Sequence, residues 1–292
     1  MSDISNSSPD TTEYYEGYFI EAENAAEMAR QMLHDHLLTR AMGGPLPEPI
    51  DSSQIYQVLD IACGSGGWIL DLMAQYPHMR GVGIDISQLM IEYATSLVKS
   101  QGLSQAQFQV MDATKPLHFP DNTFDLVNGR LLTGFLSTQQ WSALLSECHR
   151  INKQGGILRL TEAEWAFTNS AALDKLAGFC YIGLSRAGHS FSPHGRTFGT
   201  SNVLRLLLRR TGYERISYQA HALDYSAGTD AHQSSCQNLL VFHKLIQPFL
   251  VQMHIASQEE LDSLYKQMEE EIQTETFCAI DYFLTVWGRK AG

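Results

Sequence analysis

The stretch Val58–Met73, VLDIACGSGGWILDLM, decides the fold of this 292-residue chain. Its apolar first part is typical of a buried strand, and its last part has the pattern of a helix. Gly64 and Gly66 stand between the two, where glycine permits unusual backbone dihedrals and the close approach of a ligand. The stretch therefore predicts a strand, a ligand-binding turn and a helix in direct succession, with free N–H groups at the start of the helix.

Strand-like and helix-like segments alternate along most of the chain. We predict strands at Ile55–Ile61, Met79–Ile84, Ala106–Met111, Phe124–Asn128, Gly156–Thr161, Glu214–Ala220 and Phe277–Trp287. Helices are predicted at Gly67–Gln75, Ser87–Gln101, Thr138–Ile151, Asn169–Ala187 and Ser201–Thr211. This alternation favours an α/β fold with a Rossmann-like, seven-stranded and mostly parallel sheet that has helices on both faces. Such sheets bind ligands at the carboxyl ends of their strands.

The segments outside this alternation predict two additions to the sheet. Residues 1–53 are expected to form a tail and an N-terminal helical lid, with a helix over Glu21–Ala41. Residues 54–292 are expected to form one domain with insertions at about 165–200 and 230–273. The second insertion is helical and precedes the last strand, so we expect it to lie away from the cleft or to mediate dimer contacts.

Two ligands fit the glycine turn: the pyrophosphate of a dinucleotide and the methionine end of S-adenosyl-L-methionine (SAM). The dinucleotide fingerprint GxGxxG needs a third small residue, and Ile69 occupies that position. Asp85 lies about twenty residues after the turn, where an acid accepts the ribose hydroxyls of either ligand. The stretch Met111–Ala113 ends the third strand, where Asp112 can accept from an adenine amino group and Met111 can flank the ring. These residues favour SAM.

An ordered set of motifs completes this pattern, namely Asp60–Gly66 (DIACGSG), Asp85, Asp112, Phe124-Asp125 and Gly155–Leu158 (GGIL). Over about Ile55–Glu164 the set resembles the class I SAM-dependent methyltransferases. The stretch Met111–Val127, MDATKPLHFPDNTFDLV, is similar to the small-molecule group that includes the ubiquinone/menaquinone C-methyltransferases. Ala62 departs from the family's motif, which usually has glycine there. The resemblance implies SAM as the cofactor and methyl transfer as the activity.

The resemblance also implies which side chains bind the cofactor. Asp60 and the glycine turn would hold the methionine moiety, and Asp85 would hold the ribose. Asn128 would face the methionine moiety and the acceptor, and Arg130 would pair with the cofactor carboxylate. The full set of expected cofactor-binding residues is Asp60, Ala62, Gly64, Ser65, Gly66, Asp85, Ile86, Met111, Asp112, Ala113, Asn128 and Arg130.

Methyl transfer is an in-line displacement, for which an enzyme aligns the acceptor, excludes water and, for some acceptors, removes a proton. Tyrosines before the first helix and side chains at the end of the fifth strand are candidates for the acceptor pocket: Tyr14, Tyr18, Glu162, Glu164 and Trp165. His189 and His194 flank a Pro/Gly loop and are the candidates for a catalytic general base. No pair of histidines or acids has a convincing metal-site spacing, so no metal is expected.

The composition of the chain indicates which classes of binding partner to expect. The net charge of −12 disfavours nucleic acid, because an acidic chain repels phosphate backbones. No uninterrupted apolar stretch of eighteen residues occurs, so we expect no membrane span. The five cysteines are scattered and lack a CxxC pair, which is typical of reduced thiols in a cytoplasmic protein. A small-molecule substrate is the expected partner, and a homodimer is left open.

These features predict SAM-dependent methyl transfer to a small, apolar or aromatic molecule. An alternative is a SAM-binding protein of the same fold with a non-methylating role, such as a cyclase or a binding protein, because its cofactor residues would look the same. A nicotinamide-dependent oxidoreductase fits less well. Ile69 opposes the dinucleotide turn, and none of the twelve tyrosines is followed by a lysine four residues later.

Overall fold

A seven-stranded sheet lies at the centre of the structure, a computed structural model that describes residues 19–20 and 24–292. The strands are β1 Gln57–Ile61, β2 Arg80–Asp85, β3 Ala106–Val110, β4 Phe124–Arg130, β5 Asn152–Thr168, β6 Tyr213–Asp224 and β7 Ala279–Lys290. Their order across the sheet is β3-β2-β1-β4-β5-β7-β6. The first five are parallel, and β7 runs antiparallel to both β5 and β6. The prediction of a mostly parallel α/β sheet is confirmed.

Strand β5 is longer than the predicted Gly156–Thr161, and the reason lies in its partner. Beyond Thr161 the strand keeps pairing with β7, from Glu162 opposite Leu284 to Thr168 opposite Ala279. This antiparallel extension supplies the backbone hydrogen bonds that a loop would lack. The segment expected as an insertion from about residue 165 therefore begins as strand.

The helices connect these strands and cover the sheet. They are α1 Ala25–Met42, α2 Gly67–Gln75, α3 Gln88–Gln101, α4 Gln140–Ile151, α5 Ala171–Arg186, α6 Thr200–Arg210, α7 His232–Leu245, α8 Gln247–Gln252 and α9 Gln258–Glu271. Local chemistry sets several of their ends. Asn24 caps α1 by accepting from the N–H groups of Ala26 and Glu27, and Gly43 ends that helix at φ 88°. Ser87 caps α3 through the N–H of Met90.

The helical segment before the last strand packs inside the chain. Helices α7, α8 and α9 share one hydrophobic cluster with α1 and α5, in which Phe242 and Leu38 are both buried. The Arg30 Nη1 of α1 also donates to the Asn238 Oδ1 of α7 at 3.0 Å. Residues 230–273 therefore support α1, the helix that faces the cleft, and none of them lines the cleft itself. None of the helices in the described ranges is long and apolar enough to cross a membrane.

Candidate active site

A cavity of about 440 Å³ opens at the carboxyl ends of β1, β2, β3 and β4. Its size falls in the range of about 300–1,000 Å³ that small-molecule sites occupy. The turn after β1 forms its floor, the ends of β2 and β3 form one side, and α1 closes the other side. The topology explains this placement, because parallel strands bring their carboxyl ends to one edge of the sheet.

The glycine turn takes the left-handed backbone that its sequence predicts. Gly64 and Gly66 have φ values of 52° and 78°, and Ala62 has a φ of 53°. The last value gives a physical reason why the related motif usually has glycine at that position. A Cβ added at Gly66 would overlap the ring of Phe108, so this position has room only for glycine. The turn lines the cavity from Ala62 to Ser65, while the N–H groups of Gly64 and Gly66 donate to Asp85 and to the Cys63 carbonyl.

Asp60 is the buried carboxylate of the site and is 2% exposed. Its Oδ1 accepts from the Asn128 Nδ2 at 2.7 Å, which joins the ends of β1 and β4. Burial raises the pKa of Asp60 to about 7, and the cation of Arg130 and the Asn128 hydrogen bond oppose that rise. Asn128 lies behind Asp60 and outside the cavity lining. The sequence expected Asn128 to face the cofactor; the structure places it as a contact of Asp60.

The nucleoside side of the cavity carries the acids expected from the strand ends. Asp85 accepts from the Gly64 N–H at 2.9 Å and from the Ser87 N–H at 3.0 Å, so it also fixes the glycine turn against β2. The Asp112 Oδ1 accepts from the N–H and the hydroxyl of Thr114 at 2.8 and 2.7 Å. Ile86 lines the cavity and is 61% exposed, which is unusual for isoleucine and is typical of a surface that a ring covers.

Helix α1, which the sequence predicts as part of a lid, contributes a wall whose individual side chains sequence reasoning did not name. Its cavity-lining residues are Arg30, Gln31, His34, Asp35 and Leu38. Asp35 forms an ion pair with Arg130, whose Nη1 also donates to the Thr39 hydroxyl at 3.0 Å. Burial and the nearby cations of Arg30 and Arg130 lower the pKa of His34 to about 3, so its imidazole is neutral at pH 7.

Glu162 and Glu164, which the sequence predicts for the acceptor pocket, accept hydrogen bonds from nearby groups of the protein. Glu162 is 1% exposed and accepts from the Leu132 N–H at 2.7 Å and from the Thr133 hydroxyl at 2.8 Å. Glu164 accepts from the N–H groups of Phe198 and Gly199 at 3.0 and 2.9 Å, just before α6. Neither side chain lines the cavity. Their physical role is to satisfy N–H groups at the start of the 3₁₀ turn Leu132–Gly134 and at the start of α6.

The remaining acceptor and base candidates do not meet at the cavity. Tyr14 and Tyr18 lie outside the described residues, and so does the side chain of Trp165. His189 is completely buried with its ring 5.1 Å from that of Phe19, in an edge-to-face arrangement. His194 is exposed on the loop before α6. The expectation of a base at either position has no support in this geometry, because neither side chain lines the cavity.

The comparisons with known proteins agree with this site. The methyltransferase domain family matches residues 58–156, which include the glycine turn and the ends of β2, β3 and β4. This segment is a class I SAM-dependent methyltransferase domain. The recognition made from the motifs is confirmed. Within the described ranges no group of three histidine, cysteine or acidic side chains could hold a metal ion.

Two curated relatives come from quinone methylation. The methyltransferase domain is 33% identical to demethylmenaquinone methyltransferase of Geobacillus stearothermophilus over 102 residues, which are 35% of this chain and 42% of that protein. It is 39% identical to the ubiquinone/menaquinone biosynthesis C-methyltransferase UbiE of Desulfotalea psychrophila over 101 residues, 34% of this chain and 38% of that protein. The matches therefore span less than half of the length of these relatives.

A solved structure extends the likeness of this methyltransferase domain to nearly the whole fold. The YcgJ protein from Bacillus subtilis covers 89% of this chain and 99% of its own, with a TM-score of 0.52 and 18% sequence identity. At that identity the likeness concerns the fold alone.

Proposed function

We propose that this protein transfers the methyl group of SAM to a small, apolar or aromatic acceptor. The observation that carries the proposal is the cavity, which gathers residues from four strand ends that the motifs singled out independently. Bound SAM supplies an electrophilic methyl group on a sulfonium. What the protein adds is binding, alignment and exclusion of water.

We assign the side chains that would bind SAM to different parts of the cofactor. We assign Asp60 to the ammonium group of the methionine moiety, because Asp60 is the acid of β1, lines the cavity and lies just before the glycine turn. Asp85 and Asp112 are placed for the ribose hydroxyls and the adenine amino group. Arg130 is placed for the methionine carboxylate. In each proposed pairing, a charged side chain would meet a hydrogen-bonding or oppositely charged group of SAM.

The acceptor side is the wall formed by α1 and the segment after β4. Leu38, Leu131 and Phe135 supply its apolar surface, and His34 adds a neutral imidazole. Such a wall suits an acceptor that is apolar or aromatic with few polar groups. The two relatives that are named for quinone methylation support the same class. A neutral imidazole can accept a hydrogen bond from an acceptor hydroxyl.

The wider organisation follows from the same contacts. We propose that residues 1–53 act as the lid of a domain formed by residues 54–292, supported by the α1 side chains in the cavity wall. The net charge of −12 supports a small-molecule acceptor over nucleic acid. All five cysteines are free, which supports a reducing, cytoplasmic compartment. A homodimer stays a prediction, to be tested by the mass of the protein in solution.

Calorimetry with SAM and with S-adenosylhomocysteine tests the donor. We expect binding, and we expect Asp85→Ala to weaken it by about 2 kcal/mol through the loss of a charge-assisted contact. Asp262→Ala is the matched control, because that carboxylate is exposed on α9 and pairs with Lys244. Absence of binding to the wild-type protein would overturn the proposal.

Methyl transfer needs its own experiment. Protein incubated with methyl-labelled SAM and a series of apolar phenols and quinols should yield a labelled, extractable product. Binding of SAM without any labelled product from such acceptors would favour the non-methylating alternative. Label found only in charged or polymeric acceptors would overturn the proposed acceptor class.

A further inference from the structure

A row of polar side chains crosses the sheet directly behind the cavity. Asp60 of β1 is the register partner of Asn128 of β4, and Asn128 is the register partner of Arg159 of β5. Partners opposite each other in neighbouring strands present their side chains to the same face of a sheet. The three side chains are 2%, 0% and 0% exposed. Polar groups so deeply buried are costly unless they satisfy one another.

The hydrogen bonds in this row run in one direction. The Arg159 Nη1 donates to the Asn128 Oδ1 at 2.6 Å, and the Asn128 Nδ2 donates to the Asp60 Oδ1 at 2.7 Å. A guanidinium has only donors, so Arg159 requires the amide oxygen of Asn128 to face it. The amide nitrogen is thereby turned toward Asp60, which must accept. A carboxylate accepts such a bond best in its ionised form.

Glu48 completes the row from outside the sheet. Its Oε1 accepts from Nε and Nη2 of Arg159 at 3.0 and 2.7 Å, and both side chains of this ion pair are completely buried. Glu48 belongs to the segment between α1 and β1, which is anchored nearby because the Trp68 indole N–H donates to the Pro45 carbonyl at 2.6 Å. The base of the α1 segment is thus joined to the carboxylate of the cavity floor.

We propose that Arg159 and Glu48 are positioning residues that keep Asp60 ionised for the cofactor by fixing the orientation of the Asn128 amide. Their role rests on the proposed function, which assigns Asp60 to the ammonium group of SAM. Neither residue touches the cavity. They act through the Asn128 amide and through the charge of Arg159, which Glu48 neutralises so that it is tolerated in the interior.

Other charged groups also face Asp60, and they set the background for a titration. They are Asp35 of α1, Arg130 of β4 and Cys63 of the glycine turn, and Cys63 in turn faces Asp85. Burial places the pKa of Asp60 at about 7, so small changes in its surroundings alter its charge near neutral pH. The proposal predicts opposite effects for two variants that leave this background unchanged.

The first variant is Glu48→Gln/Arg159→Met, which removes the ion pair and leaves no buried charge without a partner. Asn128 is then free to turn its oxygen toward Asp60, which favours the protonated acid. We expect the titration midpoint of Asp60 to rise by about one pH unit. The ionised fraction of Asp60 at pH 7 should then fall from about half to about a tenth, so SAM binding should weaken about fivefold at pH 7 and recover to within about twofold of wild type at pH 9.

The second variant is Glu48→Gln alone. The glutamine oxygen can still accept from Arg159, and its amide nitrogen replaces Oε2, which has no hydrogen-bond partner among the described residues. The positive charge of Arg159 is then no longer neutralised, so the midpoint of Asp60 should fall. A merely structural role would shift both variants in the same direction or leave the midpoint unchanged.

The midpoint is measured in the full-length, cofactor-free protein by ¹³C NMR of the aspartate carboxyls, with Asp60→Asn to assign the signal. Calorimetry with SAM from pH 6 to pH 9 gives the second readout. Tyr213→Phe is the control, because it removes a buried hydrogen bond to Asn152 away from the cavity. Midpoints that do not move in opposite directions, or a loss of affinity equal at every pH, would overturn the proposal. Failure of the wild-type protein to bind SAM would overturn the proposed function instead. The titration midpoints would still test whether Arg159 and Glu48 control the ionisation of Asp60.

Discussion

Asp35 of α1 and Arg130 at the end of β4 form an ion pair in the cavity lining. The guanidinium of Arg130 is thus already paired with a carboxylate of the protein. The Asp35 carboxylate also lies beside Gly67, the first residue of α2, where a Cβ would overlap it. A helix N-terminus and an arginine are the two features that attract an anionic group. Asp35 therefore stands where the carboxylate of SAM is expected, and the two acids compete for Arg130.

This competition predicts opposite effects of removing the two partners. Asp35→Ala should tighten SAM binding by about threefold, because a partly exposed ion pair no longer has to break. Arg130→Ala should weaken binding by about tenfold, since the cofactor carboxylate loses its cation. Titration calorimetry of both variants at one ionic strength measures the difference.

A third variant separates competition from closure of α1. Thr39→Val removes the hydrogen bond from Arg130 to the Thr39 hydroxyl and leaves both charges of the ion pair in place. We expect it to change affinity by less than twofold. If Asp35→Ala and Arg130→Ala instead weaken binding to the same degree, the ion pair serves to close the helix over the cavity and does not compete with the cofactor.

The glycine turn offers a matched pair of substitutions. Gly66 and Gly155 have similar φ values of 78° and 73°, but a Cβ at Gly66 would overlap Phe108, whereas a Cβ at Gly155 would meet nothing within 4 Å. Both alanine variants should lose about 1 kcal/mol of unfolding free energy to backbone strain. Only Gly66→Ala should also weaken SAM binding, by tenfold or more, because Phe108 and the turn must shift apart.

Urea unfolding and calorimetry on the two variants give both quantities. Equal affinities for SAM would show that the turn accommodates a side chain and that its glycines serve the backbone alone. A larger loss of stability in Gly155→Ala than in Gly66→Ala would contradict the steric argument, because the open position would then be the costlier one.

The sheet and the side of the cavity expected to bind SAM were predictable from sequence, because both depend on local patterns. Asp60, Asp85 and Asp112 each follow an apolar strand, and parallel strands end at one edge, so local patterns fix a shared location. A helical lid was predictable from sequence, but its lining residues were not, because Arg30 and His34 recur at the spacing of any helix and only tertiary packing decides which face meets the cavity. Glu162 shows the converse: an acid at a strand end looks the same in sequence whether it faces a ligand or a backbone N–H.

Glu162 also gives the protein a pH-dependent stability. Burial raises its pKa to about 7 against the hydrogen bonds from Leu132 and Thr133 that favour the ionised form. The folded state therefore binds the proton more tightly than the unfolded state, whose carboxyl titrates near 4.5. The stabilisation from this group is fully present below about pH 4.5 and is lost as the pH rises through about 7. The shift of the pKa corresponds to roughly 3 kcal/mol over that window.

Glu162→Gln removes the titration and keeps a buried amide of nearly the same shape. The difference in unfolding free energy between wild type and this variant should fall by roughly 3 kcal/mol from pH 5 to pH 8, measured by urea unfolding, because only wild type must ionise a buried acid. Glu147→Gln is the matched control. Arg150 holds the pKa of Glu147 below its usual value, so the stability from that carboxylate is present above about pH 4.5. The free energy of unfolding that Glu147→Gln loses relative to wild type should therefore be constant from pH 5 to pH 8. A wild-type minus Glu162→Gln difference that is equally flat would show that Glu162 is ionised throughout, held by the N–H groups that it accepts from.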